Sequence, residues 1–220
     1  GFIMALSKLN FNSLNLTPVA GKGIGFDSGA DDLEASFSGG AMTFIKKLTA
    51  SSSNSLSFVN GSSDVVLDST YKEYLFLYKD IHPSANGPNF LVQFNDSSSN
   101  AVTKTSSSFY AYHNEGDSGT QLTYVASGDL AQATGPQPIA LDVTNENDSS
   151  AVGFLHLFNP SSTTFVKHFI ASGTHMHDNI AVLTDHFGGY CNTTSAVAEV
   201  AFTMQSGTID AGTVSLYGIN

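Results

Sequence analysis

The sequence predicts an all-β fold: an antiparallel two-sheet sandwich of jelly-roll type. Three observations carry that prediction. Runs rich in Val, Ile, Phe, Tyr and Thr recur along the chain and end on Gly, Pro, Asn or Asp. Several of these runs alternate in polarity, as half-buried strands do, and no window sustains a helical period. The 220 residues are long for an immunoglobulin-like domain and sufficient for one sandwich with a large core.

The first part of the chain stands apart. Leu6, Leu9, Phe11, Leu14 and Leu16 sit among Ser and Asn, too irregularly spaced for a strong helix face. Pro18, Gly21, Gly23 and Gly25 then interrupt any regular element. Residues 1–40 are therefore expected to form an irregular arm or anchor, bounded by Gly39-Gly40, with the sandwich occupying residues 41–220. Strands are expected at Ala41–Ala50, Ser55–Val59, Tyr71–Ile81, Phe90–Phe94, Ser107–Tyr112 and Leu122–Val125. Five more are expected at Gly153–Phe158, Thr164–Ala171, Val182–Phe187, Val197–Met204 and Thr213–Ile219. Within Gly153–Phe158, Leu155 and Leu157 should face away from Phe154, His156 and Phe158. The expected core draws on Phe44, Ile45, Leu75, Leu77, Phe94, Phe154, Phe158, Phe169, Phe202 and Leu216.

Charge narrows the function classes. Charged residues make up 12% of the chain and the net charge is −11, with eight Lys and Arg. Such a surface repels phosphate backbones and anionic bilayers, so neither a nucleic acid nor a membrane is expected as partner. No apolar run is long enough to span a bilayer as a helix. Cys191 is the single cysteine, which excludes an intrachain disulfide and cysteine-pair metal sites. No basic stretch followed by an apolar run stands at the start, so no signal peptide is expected, and Met4 reads as the natural start. Abundant Ser, Thr, Asn and Gly in place of charge match secreted, cell-surface or virion β-proteins.

Few constellations suggest chemistry. His168, His175, His177, Asp178 and His186 cluster in sequence, and His175 and His177 share a face if the segment is extended. His175, His177 and His186 are the weak candidates for a metal, because a His-x-His pair with a third ligand can hold zinc or copper. Against this, Ala171-Ser172-Gly173-Thr174 reads as a loop and Thr174–Asn179 as a polar turn, so no metal or other cofactor is expected. Gly116-Asp117-Ser118-Gly119 has only a four-residue likeness to a serine-protease motif, and Gly-x-Ser-x-Gly is absent. The acids Asp31, Asp32, Glu34, Asp64 and Asp68 show no spacing that sets them apart from solvated turns. Asp27, Asp31 and Asp32 lack an EF-hand spacing. Seven tyrosines, Tyr71, Tyr74, Tyr78, Tyr110, Tyr112, Tyr124 and Tyr190, are available as sugar platforms, though each is also an ordinary strand former. No catalytic residue is assigned, and the ligand-binding residues stay undetermined at this stage.

Several segments carry a resemblance. Leu155–Thr164 with Phe165–Phe169, Ser69–Tyr74, Asn192–Ala196 and the ending Met204–Ile219 resemble a functionally unassigned family of structural proteins of tailed phages infecting marine bacteria. The likeness runs from about Ile45 to the C-terminus. It implies a virion component: a fibre, an appendage or a capsid-attached protein, not an enzyme. It implies other virion proteins as partners, a homo-oligomer with a trimer favoured, and a host-surface glycan as a further contact. A carbohydrate-binding module and a cupin-like metalloenzyme are the alternatives.

Overall fold

The computed structural model describes residues 23–26, 33–37, 41–177 and 181–220, the first two stretches by backbone alone. The chain divides into two compact units, Gly1–Thr43 and Phe44–Asn220. In the first, β1 (Gly23–Phe26) and β2 (Leu33–Phe37) pair antiparallel. Gly23 and Gly25, read above as breakers, thus lie in a short ladder. The expectations for Leu6, Leu9, Phe11, Leu14, Leu16, Asp27, Asp31, Asp32 and Asp178 fall outside the described residues.

The remaining strands are β3 (Met42–Thr49), β4 (Leu56–Val59), β5 (Glu73–Pro83), β6 (Phe90–Asp96), β7 (Lys104–Asn114) and β8 (Thr120–Tyr124). They continue with β9 (Gln137–Ala140), β10 (Ala151–Phe158), β11 (Lys167–His177), β12 (Ala181–Cys191), β13 (Val197–Met204) and β14 (Ile209–Ile219). One sheet has eight strands in the order β3-β14-β5-β10-β11-β12-β7-β8, the other four in the order β4-β13-β6-β9. The pairs β3–β14, β4–β13, β5–β10 and β6–β9 are nested, as when one long hairpin is wrapped across two sheets. That nesting is the jelly-roll topology. Two inserted hairpins, β7–β8 and β11–β12, both extend the same sheet beyond β10, making it twice as wide as the other.

Alternation sorts the side chains. Tyr74, Phe76 and Tyr78 of β5, Leu155 and Leu157 of β10, and Val214 and Leu216 of β14 are buried between the sheets. Phe58, Phe90, Val92, Phe94, Val200 and Phe202 meet them from the narrow sheet. Phe202 packs against Phe58, Phe76 and Phe90 with ring centroids 5.6–6.1 Å apart. A bulge shifts the register between Ile81 and Tyr78, where Asp80 adopts φ 54°. The extra residue reverses the phase of β5, so Ile81 is buried instead of Asp80. A second register shift between Val197 and Glu199 explains why Val197 is buried alongside the even-numbered residues of β13.

The predicted core is corrected in part. Phe94, Phe169, Phe202 and Leu216 are buried in it, and Ile45 packs against it. Phe44 is 56% exposed. Leu77, Phe154 and Phe158 are only partly buried and lie on the outer face of the wide sheet, paired across strands there as Leu77↔Phe154. Leu75 is buried but stands outside the core cluster. Hydrophobicity could not separate the faces because both are apolar. The segment Ala171–Thr174 is no loop: β11 runs through it to His177. Strand β9 was missed because Pro136 and Pro138 argue against a strand; an edge position, which β9 holds, tolerates them.

Candidate functional site

The wide sheet overhangs the narrow one. Edge strand β9 packs over β11 and β12, so the inner face of β7 and β8 continues past the covering layer. There a cleft of about 310 Å³ opens, lined by Tyr110, Tyr112, Asn114, Gln121, Asp142, His177, Ala181 and Leu183. Tyr110, Tyr112 and Asn114 lie two residues apart on β7 and so share the inner face. Register places them opposite Asp185, Leu183 and Ala181 of β12. The two tyrosine rings meet edge to face at 6.3 Å. Asn114 is already committed: its side chain accepts from the backbone N–H of Ser118 and Gly119 and donates to Ser118 Oγ. His177 Nε2 stands 3.6 Å from Asp142 Oδ2 at the opposite wall.

Beside this cleft lies a buried acid–imidazole pair. His175 Nε2 faces the carbonyl oxygen of Leu141 and must donate to it. Leu141 N–H donates to Asp185 Oδ2 over 3.1 Å. His175 Nδ1 is 3.4 Å from Asp185 Oδ2, and both side chains are fully buried. Burial pushes the carboxyl of Asp185 up to about 7 and the imidazole of His175 down to about 4. The pair is therefore a protonated acid beside a neutral imidazole in mildly acidic solution.

The metal candidates do not converge. His175 and His177 share the inner face, whereas His186 lies on the outer face, stacked on Phe109 at 4.9 Å. His168 is also outward, against Tyr190. Among the described residues no group of three His, Cys, Asp or Glu is arranged to hold a metal ion. Ser118 contacts Asn114, while His113 pairs with Asp117 at 3.0 Å; serine and imidazole are not joined. Asp64 and Asp68 sit in turns, and the Asp68 carboxyl is held low by hydrogen bonds from Thr70. Of the tyrosines, Tyr74 and Tyr78 are core and Tyr124 is bonded to Asp129. Only Tyr110 and Tyr112 line the cleft.

Two features carried no sequence motif. Asp185, Asp142 and Gln121 were not singled out, although Asp185 sits between the inward Leu183 and Phe187, a pattern that marks a buried acid. Lys104, Cys191 and Lys167 form a row across β7, β12 and β11, each fully buried. Lys104 Nζ donates to the carbonyls of Val102 (2.7 Å) and Thr134 (3.4 Å), Lys167 Nζ to that of Thr193 (3.1 Å). Burial lowers both ammonium groups, that of Lys104 to about 8, and raises the Cys191 thiol to about 12.

The outer face of the wide sheet is the second surface. Phe44, Phe109, Ile170 and Val182 are 46–56% exposed there. Phe44 meets the ring of Tyr217 at 5.6 Å, and His156 is hydrogen-bonded to Glu73 and flanked by Phe154 and Phe158. Compared with family models, curated proteins and solved structures, the chain matches none.

Proposed function

We propose that the chain is a structural component of a tailed-phage virion, a fibre, appendage or capsid-attached protein, whose sandwich works by contact instead of catalysis. The observation that carries this reading is the outer face of the eight-stranded sheet. Phe44, Phe109, Ile170 and Val182 stand exposed on it. The partly buried Leu77, Phe154 and Phe158 lie on the strands between Phe44 and Ile170, and an apolar sheet face of this extent suits contact with another protein. Its ionic groups are few, and the Glu73 carboxylate is already matched by His156. Interface cores are depleted in charge in the same way. The resemblance to phage structural proteins read from the sequence of Met204–Ile219 agrees with this reading and is what suggests the virion setting. The partners are other virion proteins and further copies of this chain, with a trimer favoured. Mass spectrometry of purified particles tests it. Peptides of this chain in stoichiometric amount are expected, and their absence overturns the assignment.

A further inference from the structure

The cleft at the overhang has a chemistry of its own, and what it binds does not depend on the virion assignment. Tyr110 and Tyr112 present ring surface, and Ala181 and Leu183 give a small apolar floor. The phenol oxygens of both tyrosines make no hydrogen bond to a described residue. Gln121, exposed on β8, and Asp142 add an amide and a carboxylate. The lining contains one acid, with His177 beside it, and no Lys or Arg, on a chain of net charge −11, which favours neutral ligands over anions. A volume of about 310 Å³ lies at the small end of ligand pockets.

Aromatic rings beside unengaged hydroxyl and amide groups, and a half-exposed carboxylate paired with His177, suit a ligand with C–H faces and many hydroxyls. We infer that this cleft binds a neutral carbohydrate of one or two rings. The sugar's apolar face lies on Tyr110 and Tyr112. Its hydroxyls donate to Asp142 and exchange hydrogen bonds with Gln121 and the phenol groups.

The test is a ¹H–¹⁵N NMR titration of the full chain with the methyl glycosides of glucose, galactose, mannose and N-acetylglucosamine, with inorganic phosphate as the anionic arm. Saturable shifts from at least one glycoside are expected at Tyr110, Tyr112, Gln121 and Ala181, with none from phosphate. Tyr112→Ala should abolish them. Gln121→Ala, at an exposed position that leaves the fold intact, should weaken binding about five- to tenfold, as loss of one hydrogen bond does. The proposal fails if no glycoside in the panel gives saturable shifts there, if phosphate gives the same shifts, or if the shifts persist unchanged in Gln121→Ala. Absence of the chain from virions would leave all of these results as they are.

Discussion

His175 Nδ1 stands 3.4 Å from Asp185 Oδ2 with both side chains closed off from water, and the pair's proton balance hides its own pH dependence. Asp185 is raised from 3.8 to about 7. Its contribution is fully present below about pH 4 and lost as pH rises through 7. His175 is lowered from 6.5 to about 4, so its contribution is lost as pH falls from 6.5 towards 4. Across that window the unfolded chain protonates the imidazole while the folded chain protonates the acid, and the two slopes cancel. Asp185→Asn should expose the imidazole's slope, with stability falling on the order of 2–3 kcal/mol between pH 6.5 and 4. His175→Gln should expose the opposite slope, with stability falling as pH rises from 4 to 7. Urea midpoints across pH check both. Profiles parallel to the parent's in both variants would refute the neutral pair.

Tyr78 lies across two glycines. A Cβ on Gly173 would stand 2.2 Å from Tyr78 Oη and 2.7 Å from the Val152 carbonyl; one on Gly153 would stand 2.3 Å from Tyr78 Oη. Gly173→Ala should therefore cost about 1–3 kcal/mol or more by overpacking. Tyr78→Phe gives up the 3.2 Å bond to the Ile139 carbonyl, about 1 kcal/mol. The double variant should cost less than the sum, because removing Oη makes room for the new methyl group. Denaturant midpoints of the four proteins measure that coupling; strict additivity would contradict it.

Face assignment predicts unequal costs for two phenylalanines. Phe202→Ala should lose about 3–5 kcal/mol. Phe154→Ala, on the outer face, should lose well under half as much. Melting curves decide, and equal losses would mean that the outer face is covered in the free protein.

Residues before Gly39 are expected to be dispensable for folding of the sandwich and to matter for self-assembly or anchoring. Deleting them should leave a cooperative transition and change the oligomer size seen by light scattering. A truncated chain that did not fold would place the arm in the core. One that folded with its oligomeric state intact would leave only an anchoring role.

Much of the architecture was legible because strand pattern and turn residues agree locally. Asn60-Gly61, His82-Pro83 and Asn159-Pro160 all lie at or just beyond strand ends. What was not legible depends on partners distant in sequence. Gly173 reads as a breaker until Tyr78 is seen to need the space. Phe154 and Leu155 are equally apolar, and only the second sheet decides which is inside. The cleft was invisible for the same reason. Tyr110 and Tyr112 differ from other strand tyrosines only because the covering sheet stops short of them, and Gln121, Asp142 and His177 meet them from three separate segments.

The Lys104–Cys191–Lys167 row gives the protein a chemical clock. Thiol reagents are electrophiles that react with thiolate, and Cys191 is both shut in and held far above its ordinary range. The flanking amines cannot reverse this, being desolvated and held by carbonyls themselves. As the chain's single thiol, it reports without interference from any other. Each modified molecule records an opening of that end of the sandwich, so the rate of thiol labelling in native buffer counts openings when the reagent reacts faster than the chain recloses, and reports the open population when it reacts more slowly. Disulfide-linked dimers in an aged sample would likewise come from molecules that had opened, which makes their fraction a measure of storage history.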